Sequence, residues 1–333
     1  HDLIDNTRTR LKKELLPMRP HGPKVLCHHA DTPEAEAEWL VSQIQSLHAA
    51  GTEYRDMTLL YRAHYLTRPV EDVLLREKLP YTIYSGVPFY GRAEIKDALS
   101  YLRLIVYRDD LSFLRVANLP RRNLGKRRME FLQSWAEENH CTLFLALQKN
   151  LDAELFRGTK AAAFVRLVED FSERWEAQPV SEVLTALLHE SGYEQMLRTE
   201  GSQERLDNLA ELKQAIYEFE TSCGEEADLP HYLSHVALYT NTDLTEQGDK
   251  LKLMTVHAAK GLEFPHVFLL GLNEGVFPSR KTGTLEGMEE ERRLCFVAMT
   301  RAEKSLALSE AEGRNYDGSP RYPSRFLLDV DER

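Results

Sequence analysis

Short apolar runs, each closed by a charged or turn-forming residue, recur at both ends of the chain. Near the N-terminal end they are Lys24 to His28, Met57-Thr58-Leu59-Leu60-Tyr61 and Tyr81 to Tyr84, with amphipathic stretches between them. The first amphipathic stretch opens on Asp31-Thr32-Pro33-Glu34 and extends to about Ala50. That opening supplies a cap, a proline in the first turn and acid where the helix dipole favours it. Strand, helix, strand, helix, strand predicts a parallel sheet with crossover helices. From Gly86 the apolar residues take up helical spacing instead. Phe164, Leu167, Val168, Phe171 and Trp175 form one stripe, and Leu209, Leu212, Ile216 and Phe219 another. Packing into a core accounts for both. Strands return at Leu251-Lys252-Leu253-Met254-Thr255-Val256, continue in Val267-Phe268-Leu269-Leu270 and close with Leu306-Ala307-Leu308. The pattern predicts one α/β domain assembled from residues 1–85 and 251–333. An all-helical domain, residues 86–250, is expected between its third and fourth strands.

Composition narrows the class without changing this picture. A chain of 333 residues, 42% hydrophobic and 29% charged, is a globular protein with room for one large or two ordinary domains. The net charge of −11 argues against a uniformly basic surface but allows a local basic groove. Cys27, Cys141, Cys223 and Cys295 show no CxxC spacing, which disfavours a zinc knuckle or a secreted disulfide framework and suits a reducing cytoplasm. No apolar run approaches the roughly 20 residues of a spanning helix, and there is no signal-peptide pattern, so no membrane partner is expected. The opening at His1, without an initiator Met, and the cluster Arg8-Thr9-Arg10-Leu11-Lys12-Lys13 suggest an element begun upstream. Cys223 to Asp228 reads as a loose acidic connection.

Candidate chemistry gathers after Leu251. The strand there runs into His257-Ala258-Ala259-Lys260-Gly261-Leu262-Glu263-Phe264, with three ionisable side chains at a strand's C-terminal end, where open α/β sheets bind ligands. Taken singly, His257 reads as a hydrogen-bonding residue, and Lys260 with Glu263 as a local ion pair. A helix is expected from Glu289 to Arg301. Leu294, Val297, Ala298 and Arg301 share its apolar face, with the arginine in the last turn. A guanidinium there must meet an anion, cap carbonyls or project toward a phosphate. Glu289, Glu290 and Glu291 suit the dipole at the helix start. GxxxxGK[ST] occurs nowhere, so this chain has no nucleotide cradle of its own.

A second candidate lies in the helical region, at Pro120-Arg121-Arg122-Asn123-Leu124-Gly125-Lys126-Arg127-Arg128. A tight Asn-Leu-Gly turn between two helices exposes backbone N–H groups, and the flanking cations add charge for phosphate. The alternative is a solvated basic face.

The stretch Val256 to Phe264, followed by Glu289-Glu290-Glu291-Arg292-Arg293-Leu294-Cys295-Phe296-Val297-Ala298-Met299-Thr300-Arg301-Ala302, resembles motifs V and VI of the UvrD/PcrA/Rep group of superfamily 1 DNA helicases. Leu59-Leu60-Tyr61-Arg62, Phe89 to Asp97, Gly271 to Pro278 and Pro323 to Leu327 also look like family signatures, so the resemblance covers almost the whole chain. It implies the second of two RecA-like motor domains, carrying a helical insertion, in an ATP-dependent 3′-to-5′ DNA helicase. ATP and Mg²⁺ would be held mainly by a first motor domain outside this chain, and the fragment alone would be inactive as an ATPase. By resemblance, Arg301 is the arginine that reaches the γ-phosphate, Glu263 lies near the ribose and Lys260 at the interface between the two motor domains. DNA contacts are implied for Arg62, His64, His257 and Tyr316. His64 stands where relatives have Asn, and Ser279 where some have His. The turn 123–125 is similar to the family's Gly-Ile-Gly turn, with Asn123 for the first Gly. This implies a helix-hairpin-helix gripping duplex DNA through Arg121, Arg122, Asn123, Gly125, Lys126, Arg127 and Arg128. The implied partners are single-stranded DNA, duplex-junction DNA and the N-terminal motor domain. A competing expectation is a non-catalytic DNA-binding or protein-docking module that keeps this fold.

Overall fold

The computed structural model describes residues 2–5, 22–240, 248–315 and 317–330. The basic cluster at 8–13 and Tyr316 therefore lie outside the described residues. The chain divides into two compact units, His1–Phe89 with Asp243–Arg333, and Tyr90–Thr242.

The first unit is a RecA-like α/β domain built on a six-stranded sheet. Its strands are β1 (Leu26–Ala30), β2 (Met57–Tyr61), β3 (Tyr81–Ile83), β4 (Leu251–Thr255), β5 (Phe264–Leu269) and β6 (Ala302–Ala311), in the order β1-β6-β5-β2-β4-β3. Every pairing is parallel. β2 is central and buried along its whole length, Thr58 included, as befits a strand covered on both faces. Its alternating side chains supply two cores. Met57, Leu59 and Tyr61 pack with residues of the helices Pro33–Ala49 and Arg68–Arg76. Leu60 packs on the other face with Met254, Leu269, Cys295 and Ala298, the last two from the helix Leu285–Met299.

The Pro33–Ala49 helix starts as its sequence predicts, with Thr32 Oγ1 accepting from Ala35 N–H at 3.1 Å. Glu36, in its first turn, does more than complement the dipole. It is buried and accepts from Gly271 N–H at 3.0 Å and Ser309 Oγ at 2.7 Å, tying the helix to the ends of β5 and β6. Burial pushes its carboxyl above the usual range. β1 lies two residues later than the apolar pattern suggests. The polar His28 and His29 belong to it because His28 stacks on Trp39, with ring centroids 4.2 Å apart, and His29 bonds the buried Glu310.

The largest departure is at the helix carrying the glutamates. It spans Leu285–Met299, beginning four residues before Glu289, because Thr284 caps it by accepting from Gly287 N–H at 3.1 Å. It ends before Arg301. The glutamates are therefore not its opening residues, and the arginine is not in its last turn. Arg301 occupies the short link between Thr300, the helix C-cap, and the first residue of β6, Ala302.

The second unit contains only helices and turns among its described residues. Phe164, Val168 and Phe171 from one predicted stripe, and Leu209, Leu212, Ile216 and Phe219 from the other, are buried. The acidic connection after Cys223 contains a short 3-10 turn, Gly224–Glu226. Among the described residues no helix is long and apolar enough to cross a membrane.

Candidate functional site

The three central strands, β5, β2 and β4, deliver their next residues to one edge of the sheet. Arg62 follows β2 directly. Its Nε donates to both carboxylate oxygens of Glu291, at 3.2 and 3.1 Å, and its Nη2 donates to Oε1 at 2.7 Å. This is a side-on fork, the strongest arrangement available to the pair. Glu291 is only 7% exposed and also accepts the backbone N–H of Ser279 at 3.1 Å. His257, beyond β4, lies in the field of this pair. Burial lowers its pKa first and the Arg62 charge lowers it further, while Glu291 and Glu290 pull it upward. His64 sits on the 3-10 turn His64–Thr67, its Nδ1 3.3 Å from the Tyr61 hydroxyl.

The loop after β4 is a compact turn. Ala259 N–H bonds Thr255 O at 3.1 Å, Leu262 N–H bonds Ala259 O at 3.1 Å, and Val256 and Ala259 are buried beneath it. Gly261 has φ +84°, a left-handed conformation that a glycine adopts without strain. With Val256 and Ala259 turned inward, the loop leaves His257, Lys260, Leu262 and Glu263 exposed.

Arg301 is fastened to this loop from both directions. Its carbonyl accepts from Phe264 N–H at 2.9 Å, and its Nη1 donates to Leu262 O at 2.8 Å. Nε donates to Val297 O at 2.9 Å and Nη2 to Thr300 Oγ1 at 3.1 Å. Of the three roles open to this guanidinium, the structure displays carbonyl capping. It also brings Arg301 beside Glu263, the residue following Leu262, although the two are far apart in sequence.

The basic turn is held by Asn118, whose side-chain oxygen accepts from Arg122 N–H at 2.8 Å and Leu124 N–H at 3.0 Å. Asn123 takes φ +61°, which asparagine tolerates better than most residues. Gly125 is the N-cap of the helix Lys126–Glu138. Arg121, Asn123, Gly125, Lys126 and Arg127 are exposed. Arg122 is not, which corrects its expected place among the phosphate-facing cations. It is 5% exposed and donates to the carbonyls of Val116, Ala117 and Ser191 and to the Tyr101 hydroxyl, at 2.8 to 3.1 Å. Its guanidinium lies 4.6 Å from the centroid of the Phe164 ring. Arg128 is divided in its allegiance, half-buried with Nε donating to Leu155 O at 2.6 Å.

Sequence reasoning overlooked Glu291, taking it for a partner of the helix dipole. Its local signal, one acid in a run of three, does not distinguish it. The helical period does, because Glu291 and Leu294 are three residues apart on one face.

The family model described as UvrD-like helicase C-terminal domain matches residues 1–313. Over 347 residues the chain is 35% identical to the ATP-dependent DNA helicase PcrA of Staphylococcus aureus (strain MRSA252), which covers 100% of this chain and 47% of that protein. The same identity holds over 346 residues to the ATP-dependent DNA helicase PcrA of Staphylococcus epidermidis (strain ATCC 12228 / FDA PCI 1200), with the same coverage. The chain thus spans about half the length of the curated relatives it matches.

Proposed function

The chain belongs to the UvrD-like helicase C-terminal domain family, and on that premise we propose that it is the second motor domain, with its inserted helical domain, of an ATP-dependent DNA helicase moving 3′ to 5′ along single-stranded DNA. The observation that carries this reading is the fastening of Arg301 to Leu262 and Phe264, which holds a planar cation against the backbone on either side of Glu263, where β5 and β6 begin. In such a motor, ATP lies between two domains, and this chain would face it with Arg301, Glu263 and Lys260. The residues present make no cage for Mg²⁺: among the described residues no group of three His, Cys, Asp or Glu could hold a metal. The ion would belong to the other domain.

Arg301 has a simple route to its role. A phosphate oxygen accepts a stronger, charge-assisted hydrogen bond than a neutral carbonyl does. Nη1 would therefore exchange Leu262 O for the γ-phosphate when nucleotide is present and return when it leaves. Donation to charge developing on the transferred phosphoryl group is the main assistance a protein can give this reaction. On the DNA side, Arg62, His64 and His257 would meet the phosphates of a single strand. The turn 121–128 would grip the duplex through Arg121, Lys126, Arg127 and the N–H groups after Gly125, with Arg128 contributing only its outer N–H groups.

The full-length protein is expected to hydrolyse ATP faster with single-stranded DNA and to unwind duplexes bearing a 3′ tail in preference to those with a 5′ tail. Absence of DNA-stimulated hydrolysis would leave a non-catalytic DNA-binding or docking module, and a 5′ preference would overturn the direction. For the basic turn, replacing Arg121, Lys126 and Arg127 together by Gln should weaken duplex binding. It should also flatten the plot of log affinity against log salt by about 0.9 for each phosphate that the variant no longer neutralises. An unchanged slope in an anisotropy titration would remove the turn from the DNA interface.

A further inference from the structure

Three separate segments meet at the carboxylate of Glu291, two of them bonding to it. Arg62 comes from the end of β2, Ser279 from the segment after β5, and Glu291 itself from the helix Leu285–Met299, next to whose C-terminal end stands Arg301. We infer that Glu291 is a positioning residue for single-stranded DNA: it fixes the plane of the Arg62 guanidinium and the backbone at Ser279, so that a DNA phosphate meets donors already aligned. The inference rests on the reading of Arg62 as a DNA contact and adds what aims it.

The geometry favours positioning over competition. Glu291 occupies the Nε and Nη2 side of the guanidinium, which leaves the Nη1 amine and one N–H of Nη2 for another acceptor. A phosphate that pulled Arg62 away would strand a buried carboxylate on a single backbone N–H. That costs far more than one solvent-exposed phosphate interaction returns. The phosphate therefore adds to the pair and does not displace it. Holding the fork in advance also spares the rotamer entropy that a free arginine loses on binding. Because Ser279 N–H shares the same carboxylate, the segments after β2 and β5 are aligned to one helix. That helix runs on toward the residue assigned to the nucleotide.

The test uses the 333-residue chain with Glu291→Gln, Arg62→Gln and the double variant, read by anisotropy with an oligothymidylate and by NMR titration of His257. Charged and titratable groups around His257 are Arg62, Glu291, Glu290 and Lys260. Removing the Glu291 charge should move the His257 titration to lower pH, removing Arg62 should move it to higher pH, and the double variant should return it close to the parent. These opposed shifts verify that the pair stands intact beside His257, and the DNA affinities read the positioning itself. Each single variant should bind DNA about tenfold more weakly, the effect of misaligning one charged hydrogen bond, and the double variant should bind no more weakly than the worse single one. If Arg62→Gln weakens binding while Glu291→Gln binds as tightly as the parent or tighter, the positioning role is wrong and the DNA reading of Arg62 stands. If Arg62→Gln leaves affinity unchanged, the DNA reading fails and takes the inference with it. Should Glu291→Gln fold poorly, Glu291→Asp keeps the charge but retracts it by a methylene. It should leave the His257 titration in place and still weaken DNA binding, and full affinity would overturn the proposal.

Discussion

Changing Arg301 to Ala in the full-length protein is expected to lower DNA-stimulated ATP turnover by about 10³-fold, the low end of what an arginine finger contributes. The structure separates this effect from a failure to fold. The side chain bonds the carbonyls of Leu262 and Val297 and the hydroxyl of Thr300, and the bonds to Leu262 and Thr300 are solvent-exposed. Water can replace such partners, so unfolding should shift by no more than about 1 kcal/mol. The backbone bond from Phe264 N–H to Arg301 O survives any side-chain change. Arg301→Lys should recover only part of the turnover, since an ammonium keeps the charge but not the planar fork. A steady-state assay at saturating DNA, paired with a melt, decides the matter. Near-normal turnover in a folded Arg301→Ala protein would remove the finger assignment.

The second large effect is on stability. Arg122→Ala should destabilise the helical unit by about 3–4 kcal/mol, an unusually severe cost for one substitution. Four acceptors converge on its guanidinium: the carbonyls of Val116 and Ala117, where the Asp110–Val116 helix ends, the carbonyl of Ser191, and the Tyr101 hydroxyl. Alanine leaves these groups buried with fewer donors and opens a void beside Phe164. Arg121→Ala, one residue away and exposed, should change stability by less than about 0.5 kcal/mol. Urea unfolding of the two variants side by side tests this. If Arg122→Ala were as stable as Arg121→Ala and instead flattened the salt dependence of DNA binding, the buried role would be refuted.

These adjacent arginines show where reading the chain stops. The strands were legible because a parallel sheet demands continuous apolar runs, and Val267-Phe268-Leu269 of β5 is one. The helical insertion was legible because period 3.6 persists over many turns. A tight turn has no period, so nothing in Arg121-Arg122 says which guanidinium faces water; Asn118 and the left-handed Asn123 decide it. The acids fail for a different reason. Glu36 stands in a first turn, and Glu291 in the run expected to open its helix, where the helix dipole already explains an acid. Their actual partners, Gly271 and Arg62, are 235 and 229 residues away in sequence. The Thr284 cap was overlooked because Gly287 in the first turn weakens the helical signal around it. By contrast, the loop 257–264 and Arg301 could be singled out as candidates from residue types alone, and what the structure adds is their attachment to each other.

The pairing of the sheet bears on how the chain is made. Among the described residues β1 pairs only with β6, β2 only with β4 and β5, and β3 only with β4. No strand from before the insertion pairs with another from before it. As residues 22–85 leave a ribosome, the strands β1, β2 and β3 have no partner among one another, and β2, buried along its whole length in the finished sheet, must wait for residues beyond 250. The helical unit, one continuous stretch of chain, is complete before β4 appears and can fold in that interval. The waiting strand is the segment exposed to aggregation, and a stall in translation inside the insertion would lengthen that exposure.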